Sequence, residues 1–323
     1  MENNIIRFIK NWTLPVAIAT GSLVYLVFAY VPALDSAAVF FTPVMELLLP
    51  LFMFFTLFVV FCKVDFRQLQ PVRWHVWLSL FQVLTAIVLT WLVLEFGLTG
   101  KSLVLVEAML VCVVAPCASA APVVTQKLGG NLEQMTTYTF LSNFITALFV
   151  PICFPLIDKA ADISFMSAFT TILYRVATVL VGPMVLAWAV KHWAKRFHRW
   201  ITGVKDLSYY SWALSLLIVS GTTIKNIVHA DTSASFLCVI AVMGLLLCIM
   251  QFGAGRFIGH YFSATVNAGQ GLGQKNTAFG IWIASSYLNP LSTVGPGCYI
   301  LWQNIINSVE IWMCRREGHD YSA

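Results

Sequence analysis

The chain has 323 residues, of which 59% are hydrophobic and 10% charged, with a formal net charge of +5 and a mean hydropathy of +0.82. A soluble domain carries roughly a quarter charged residues, so this composition excludes a water-soluble globular fold. The basic residues are spread thinly at the ends of apolar runs, which excludes a nucleic-acid-binding surface.

A membrane-crossing helix needs about twenty mostly apolar residues. The N-terminal stretch ending at Trp12 leads into the first such run, 14–33. It resembles the start of a secretory signal, but no small-residue cleavage site follows, so it reads as the first span. Further runs follow at 39–62, 76–98, 103–124 and 136–156, then at 165–188, 207–228, 235–252, 268–288 and 293–313. Cys112, Cys153, Cys238 and Cys248 lie inside these runs, without C-x-x-C spacing, and read as small hydrophobes.

Ten spans put both termini on one side. That side collects Arg7, Lys10, Lys63, Arg67, Arg73 and Lys127, the basic stretch from Lys191 to Lys205, and Arg256, Arg315 and Arg316. The other side has Lys101, Lys159 and Lys225. Positive charge favours the cytoplasm, so both termini are expected there, in a multi-pass protein of the inner or plasma membrane. The first five runs and the last five are offset by roughly 155 residues, suggesting repeats over 1–160 and 161–323 within one membrane-embedded unit. Because five is odd, the second repeat enters the membrane inverted. The expected fold is all-α, about ten transmembrane helices in two inverted five-helix repeats.

The fourth run of each half is interrupted. In the first half, APCASAAPVVTQKLGGN (115–131) holds Pro116 and Pro122; in the second, NAGQGLGQKNTAFG (267–280) holds Gly269, Gly271 and Gly273. Proline removes a backbone donor, and closely spaced glycines weaken a helix. Irregular backbone at membrane depth is tolerated only inside protein or along a watery cavity, so the two breaks are expected to cross and form the site. Candidate lining residues are Ser119, Thr125, Gln274, Lys275, Asn276 and Thr277. Lys275 would be costly facing lipid and is expected to contact a ligand or a carboxylate, with Glu310 and Glu46 as candidate partners. Gln303, Asn304, Asn307 and Ser308 either bind the last helix to its neighbours or line the cavity.

At these residues the chain resembles the bile acid:sodium symporter family, within the bile/arsenite transporter superfamily. LPLFMFFTLFVVFCKVDFRQL (49–69) resembles the family's second helix and the D-F-R turn after it. PCASAAPVVTQKLGGN and GQKNTAF are similar to its broken fourth and ninth helices. The resemblance implies a panel domain and a core domain, with the broken helices crossing at the ion and substrate site. It also adds Gln82 and Thr139 as ion ligands. Other sodium ligands of the family fall on Ala121, Pro122, Met135 and Gly271, with Gln270 adjacent. Its glutamine falls on Lys275 or, after a one-residue shift, on Gln274.

Together these features lead to the expectation of a secondary transporter of a small organic anion, bile-acid-like or another carboxylate, working by alternating access. Sodium coupling is expected to be altered or absent, with Na+ or H+ as the possible coupling ion and no cofactor. Apart from the anion, the lipid bilayer is the only partner expected, and the oligomeric state is left open. One alternative is an arsenical or other small-solute permease, since Cys117 resembles the cysteine that arsenite permeases carry in their fourth helix. Another is a non-transporting receptor, which the short longest loop (191–206) disfavours. No nucleophile–base pair or metal-ligand cluster suggests an enzyme.

Overall fold

The computed structural model describes residues 8–9, 12–157 and 164–316. Among them the structure is helical, with no strand beyond one isolated pairing. Helices α1 (Thr13–Tyr30), α2 (Asp35–Lys63), α3 (Arg73–Phe96), α4 (Gly100–Val114), α5 (Ala121–Lys127) and α6 (Leu132–Ile157) come first. Then follow α7 (Phe165–Val176), joined through a π-helical turn to α8 (Gly182–Trp193), then α9 (Lys195–Gly203), α10 (Leu207–Val228) and α11 (Ala234–His260). The last are α12 (Thr265–Gly273), α13 (Thr277–Tyr287) and α14 (Val294–Arg316).

Every apolar run read from the sequence falls on one of these helices or on a broken pair. Among the described residues seven segments are long and apolar enough to cross a membrane: α1, α2 from Val39, α3, α6, α7–α8 from Met166, α10 and α11. The other three runs differ for physical reasons. Two are the interrupted pairs α4–α5 and α12–α13, whose pieces are individually short. The third is α14, whose Gln303, Asn304, Asn307 and Ser308 lower its hydropathy but are all buried.

Two boundaries correct the sequence reading. Helix α11 continues past 252 to His260, since Gly253 and Gly255 do not break a helix packed against a neighbour. The stretch 191–206, expected to be a loop, contains α9. Its apolar residues are too few for a span yet spaced to bury Ile201 on one face.

The outer surface is apolar. Leu23, Phe40, Leu47, Val76 and Trp91 are each more than half exposed, among many others. Such a surface is stable only against lipid. The chain is an all-α integral membrane protein. Helices α1, α2, α8 and α10 pack on one another, and α3, α4, α6, α11, α12, α13 and α14 form a second group. The largest apolar core lies in the second group and includes Val111, Val114, Phe154, Phe252 and Ile283.

Candidate transport site

Helix α4 stops at Val114 because Ala115 is extended ahead of Pro116 (φ −51°, ψ 135°). The chain resumes as α5 at Ala121, with Pro122 in its first turn. On the other side α12 ends at Gly273 and Gln274 is extended. Asn276 then caps α13, its side-chain oxygen accepting from the Phe279 N–H at 3.1 Å.

The two breaks meet. Cys117 and Lys275 pair antiparallel, with the Ala118 N–H donating to the Gln274 carbonyl and the Asn276 N–H to the Pro116 carbonyl, both at 2.8 Å. Each interruption supplies the partners that the other's backbone lost. Side chains complete the set. The Cys117 N–H donates to Ser142 Oγ at 2.9 Å, the Lys275 N–H to Gln303 Oε1 at 2.8 Å, and Gln303 Nε2 to the Lys275 carbonyl at 3.1 Å. Tyr299 OH donates to the Gly273 carbonyl at 2.7 Å.

The glycines that break the second helix also make room. A Cβ on Gly273 would lie 2.3 Å from Phe252 Cγ, and one on Gly271 would lie 3.0 Å from Tyr138 Cδ1. Side chains at either position would push α12 away from α11 or α6.

The last carbonyls of a helix lack intrahelical donors and carry the negative end of its dipole. At the broken end of α4 four side chains fill that role, Gln251 Nε2 reaching the Cys112 carbonyl at 3.5 Å. Lys275 Nζ donates to the Val113 carbonyl at 2.9 Å. Thr146 Oγ1 donates to the Val114 carbonyl at 2.6 Å, and Gln82 Nε2 reaches the same carbonyl at 3.3 Å. Lys275 is 1% exposed. Glu310, a candidate partner for it, is held elsewhere: it bonds Arg256, and its Oε2 accepts from Gln270 Nε2 at 3.0 Å. Position on the chain explains this, since Glu310 lies nearly two turns beyond Gln303 on α14. The other candidate, Glu46, is on α2, and its side chain lies outside the described residues.

In front of the crossing is a cavity of about 60 Å³ between the two helix groups. Met53 and Thr56 of α2 and Trp212, Ser215, Leu216 and Val219 of α10 form one wall. Ser119, Gln274, Lys275, Asn276 and Thr277, with Gln303 and Asn304, form the other. Both polar atoms of the Gln274 side chain and Asn304 Oδ1 are buried without a hydrogen-bond partner among the described residues. Sites for drug-sized molecules measure about 300–1,000 Å³, so the cleft is nearly closed in this conformation.

The nine predicted site residues separate into three groups. Ser119, Gln274, Lys275, Asn276 and Thr277 line the cleft. Gln82 lies behind the crossing, as does Thr139, whose hydroxyl bonds the Met135 carbonyl at 3.0 Å. Gln270 joins Asn307 and Glu310, and Thr125 is buried in α5; neither lines the cleft. Ser142 and Thr146 escaped the sequence reading, although Thr139, Ser142, Asn143 and Thr146 follow the three- and four-residue spacing of one helix face.

A profile of the sodium bile acid symporter family matches residues 50–230, more than half of the chain. The chain belongs to this family. The matched region of this sodium bile acid symporter family member runs from within α2 through α10, so it contains the first break and the α2 and α10 walls of the cleft. Membership makes the chain a membrane transporter. Among curated proteins, none matches the sequence at a significant level.

Proposed function

We propose that this family member is a secondary transporter of a small organic anion, with ten spans in two inverted repeats and both termini in the cytoplasm. In this reading α4–α5 and α12–α13 are the fourth and ninth spans, and α14 is the tenth. The substrate binds in the cleft between α2/α10 and the crossing, and alternating access opens the cleft to each side in turn. Anion preference rests on Lys275, on the N-terminus of α13 facing the cleft, and on the unpartnered side-chain amide of Gln274. The apolar wall of Met53, Trp212, Leu216 and Val219 suits a carboxylate with a hydrophobic body.

The single observation that carries the coupling proposal is the bond from Lys275 Nζ to the Val113 carbonyl. A covalently held ammonium sits at the negative end of broken α4, beside Gln82, where the family resemblance would put a sodium ion. The surroundings of the other sodium position also disfavour a hard cation. Ala121 and Met135 pack in an apolar cluster with Trp74, Leu78, Tyr138 and Leu272, while sodium needs oxygen ligands. Transport without sodium follows, with protons as the remaining candidate coupling ion. Cys117 does not line the cleft, so the arsenical reading gains no support.

The test is purified protein in proteoliposomes, with substrates first selected by thermal shift against a panel of organic anions. Uptake of a selected anion should persist when sodium is replaced by choline. Uptake that stops without sodium, and is unchanged by Lys275→Gln, would overturn the reading.

A further inference from the structure

Helix α9 has three faces. One packs on the protein: Ile201 is fully buried in a cluster with Leu57, Phe58 and Phe61 of α2, and His198 Nε2 hydrogen-bonds the Cys62 carbonyl at 2.9 Å. A second face is aromatic and bare. Phe197 is 47% and Trp200 60% exposed, their rings stacked at 5.8 Å. Trp188 and Trp193 at the end of α8 form a second exposed aromatic pair, their rings 5.7 Å apart and Trp193 79% exposed. The third face holds Lys195, Arg196 and Arg199, all exposed and with no side-chain hydrogen bond or ion pair among the described residues.

At 100° per residue, Phe197 and Trp200 lie about 60° apart, and the three cations occupy an adjoining arc of about 100°. From Lys191 to Lys205 the sequence has no acidic residue. The helix therefore offers unbalanced positive charge beside an exposed aromatic strip.

We propose that α9 lies in the membrane interface and binds anionic phospholipid headgroups of the leaflet where α8 ends and α10 begins. Phe197 and Trp200 enter the boundary between headgroups and acyl chains, and Lys195, Arg196 and Arg199 meet the lipid phosphates. Surface-bound amphipathic helices combine these two faces, and anionic leaflets attract such basic clusters. The third face makes α9 part of the protein rather than a tether. By bonding the end of α2, it couples that leaflet to the helix that carries Met53 and Thr56 into the cleft wall.

The experiment uses full-length purified protein in detergent, titrated with phosphatidylglycerol or phosphatidylcholine and followed by thermal unfolding and native mass spectrometry. Phosphatidylglycerol should give a stabilising shift at least twice that of phosphatidylcholine and more retained lipid. The K195Q/R196Q/R199Q variant should lose at least half of that preference, whereas R67Q/R73Q, changed at other exposed cations, should keep it. If the triple variant does not fold, F197S/W200S serves instead and should weaken the response to both lipids. Equal responses to the two lipids, or an undiminished preference in the triple variant, would overturn the proposal. So would an equal shift from inorganic phosphate alone, which would mark a simple anion site. Conversion of a dimer to a monomer by the variant, with its lipid response intact, would assign the face to a second copy and also overturn it.

Discussion

Lys275 and Val113 belong to opposite halves of the chain, yet the ammonium of one donates to the carbonyl of the other at 2.9 Å inside the protein. The bond joins the loop between α12 and α13 to the last turn of α4. It completes a helix end that proline has cut short, and it places a fixed positive charge at the negative pole of that helix.

Lys275→Gln keeps a polar, hydrogen-bonding side chain at the crossing but removes the charge. Folding should be retained, with thermal stability changed by no more than a few degrees, while affinity for the transported anion falls at least tenfold. Binding at graded sodium concentrations is the measurement. Unchanged affinity in sodium-free buffer would remove Lys275 from the site.

Glu310→Gln separates the two lysine-partner readings. Because Glu310 bonds Arg256 and Gln270, its loss should cost about 1–3 kcal/mol of stability and leave uptake within about a factor of two per unit of folded protein. A loss of uptake matching that of Lys275→Gln would mean that the two charges meet during the transport cycle.

Gln303→Leu removes both hydrogen bonds that bracket the Lys275 backbone. A buried donor and a buried acceptor are then left unpaired, each costing about 1–3 kcal/mol. The variant should unfold at a clearly lower temperature than Asn307→Leu, which disturbs only the Gln270 contact. Equal losses would show that the crossing does not depend on Gln303.

Gly273→Ala tests the close approach of α12 to α11. The added Cβ would sit 2.3 Å from Phe252 Cγ, and overpacking of this kind costs about 1–3 kcal/mol. Combining it with Phe252→Leu should recover part of the loss, measured by thermal unfolding. No recovery would place the strain in the α12 backbone instead.

Ser119→Cys and Cys117 differ in access. Ser119 lines the cleft, while Cys117 is fully buried in the apolar cluster behind it. A small water-soluble thiol reagent should label the introduced cysteine and be blocked by bound anion, leaving Cys117 unmodified. Equal labelling of both would mean that the cleft opens behind the crossing as well.

The sequence by itself determined the solvent, the helical class and the two interruptions. Length, hydropathy and the pattern of Pro116, Pro122, Gly271 and Gly273 are local properties, and a bilayer leaves few structures that satisfy the backbone. The lining set around Ser119, Gln274 and Lys275 was legible for the same reason, because it borders those breaks. Gln270 and Thr125, equally close in sequence, point elsewhere, since a helix turns neighbouring side chains by 100°. Only the tertiary structure decided what each polar group touches: that Gln303 brackets Lys275, that Glu310 goes to Arg256, and that Lys275 reaches the end of α4. Composition and spacing record that a buried charge needs a partner. Which partner it finds depends on how helices far apart in the chain are packed, and no local pattern carries that.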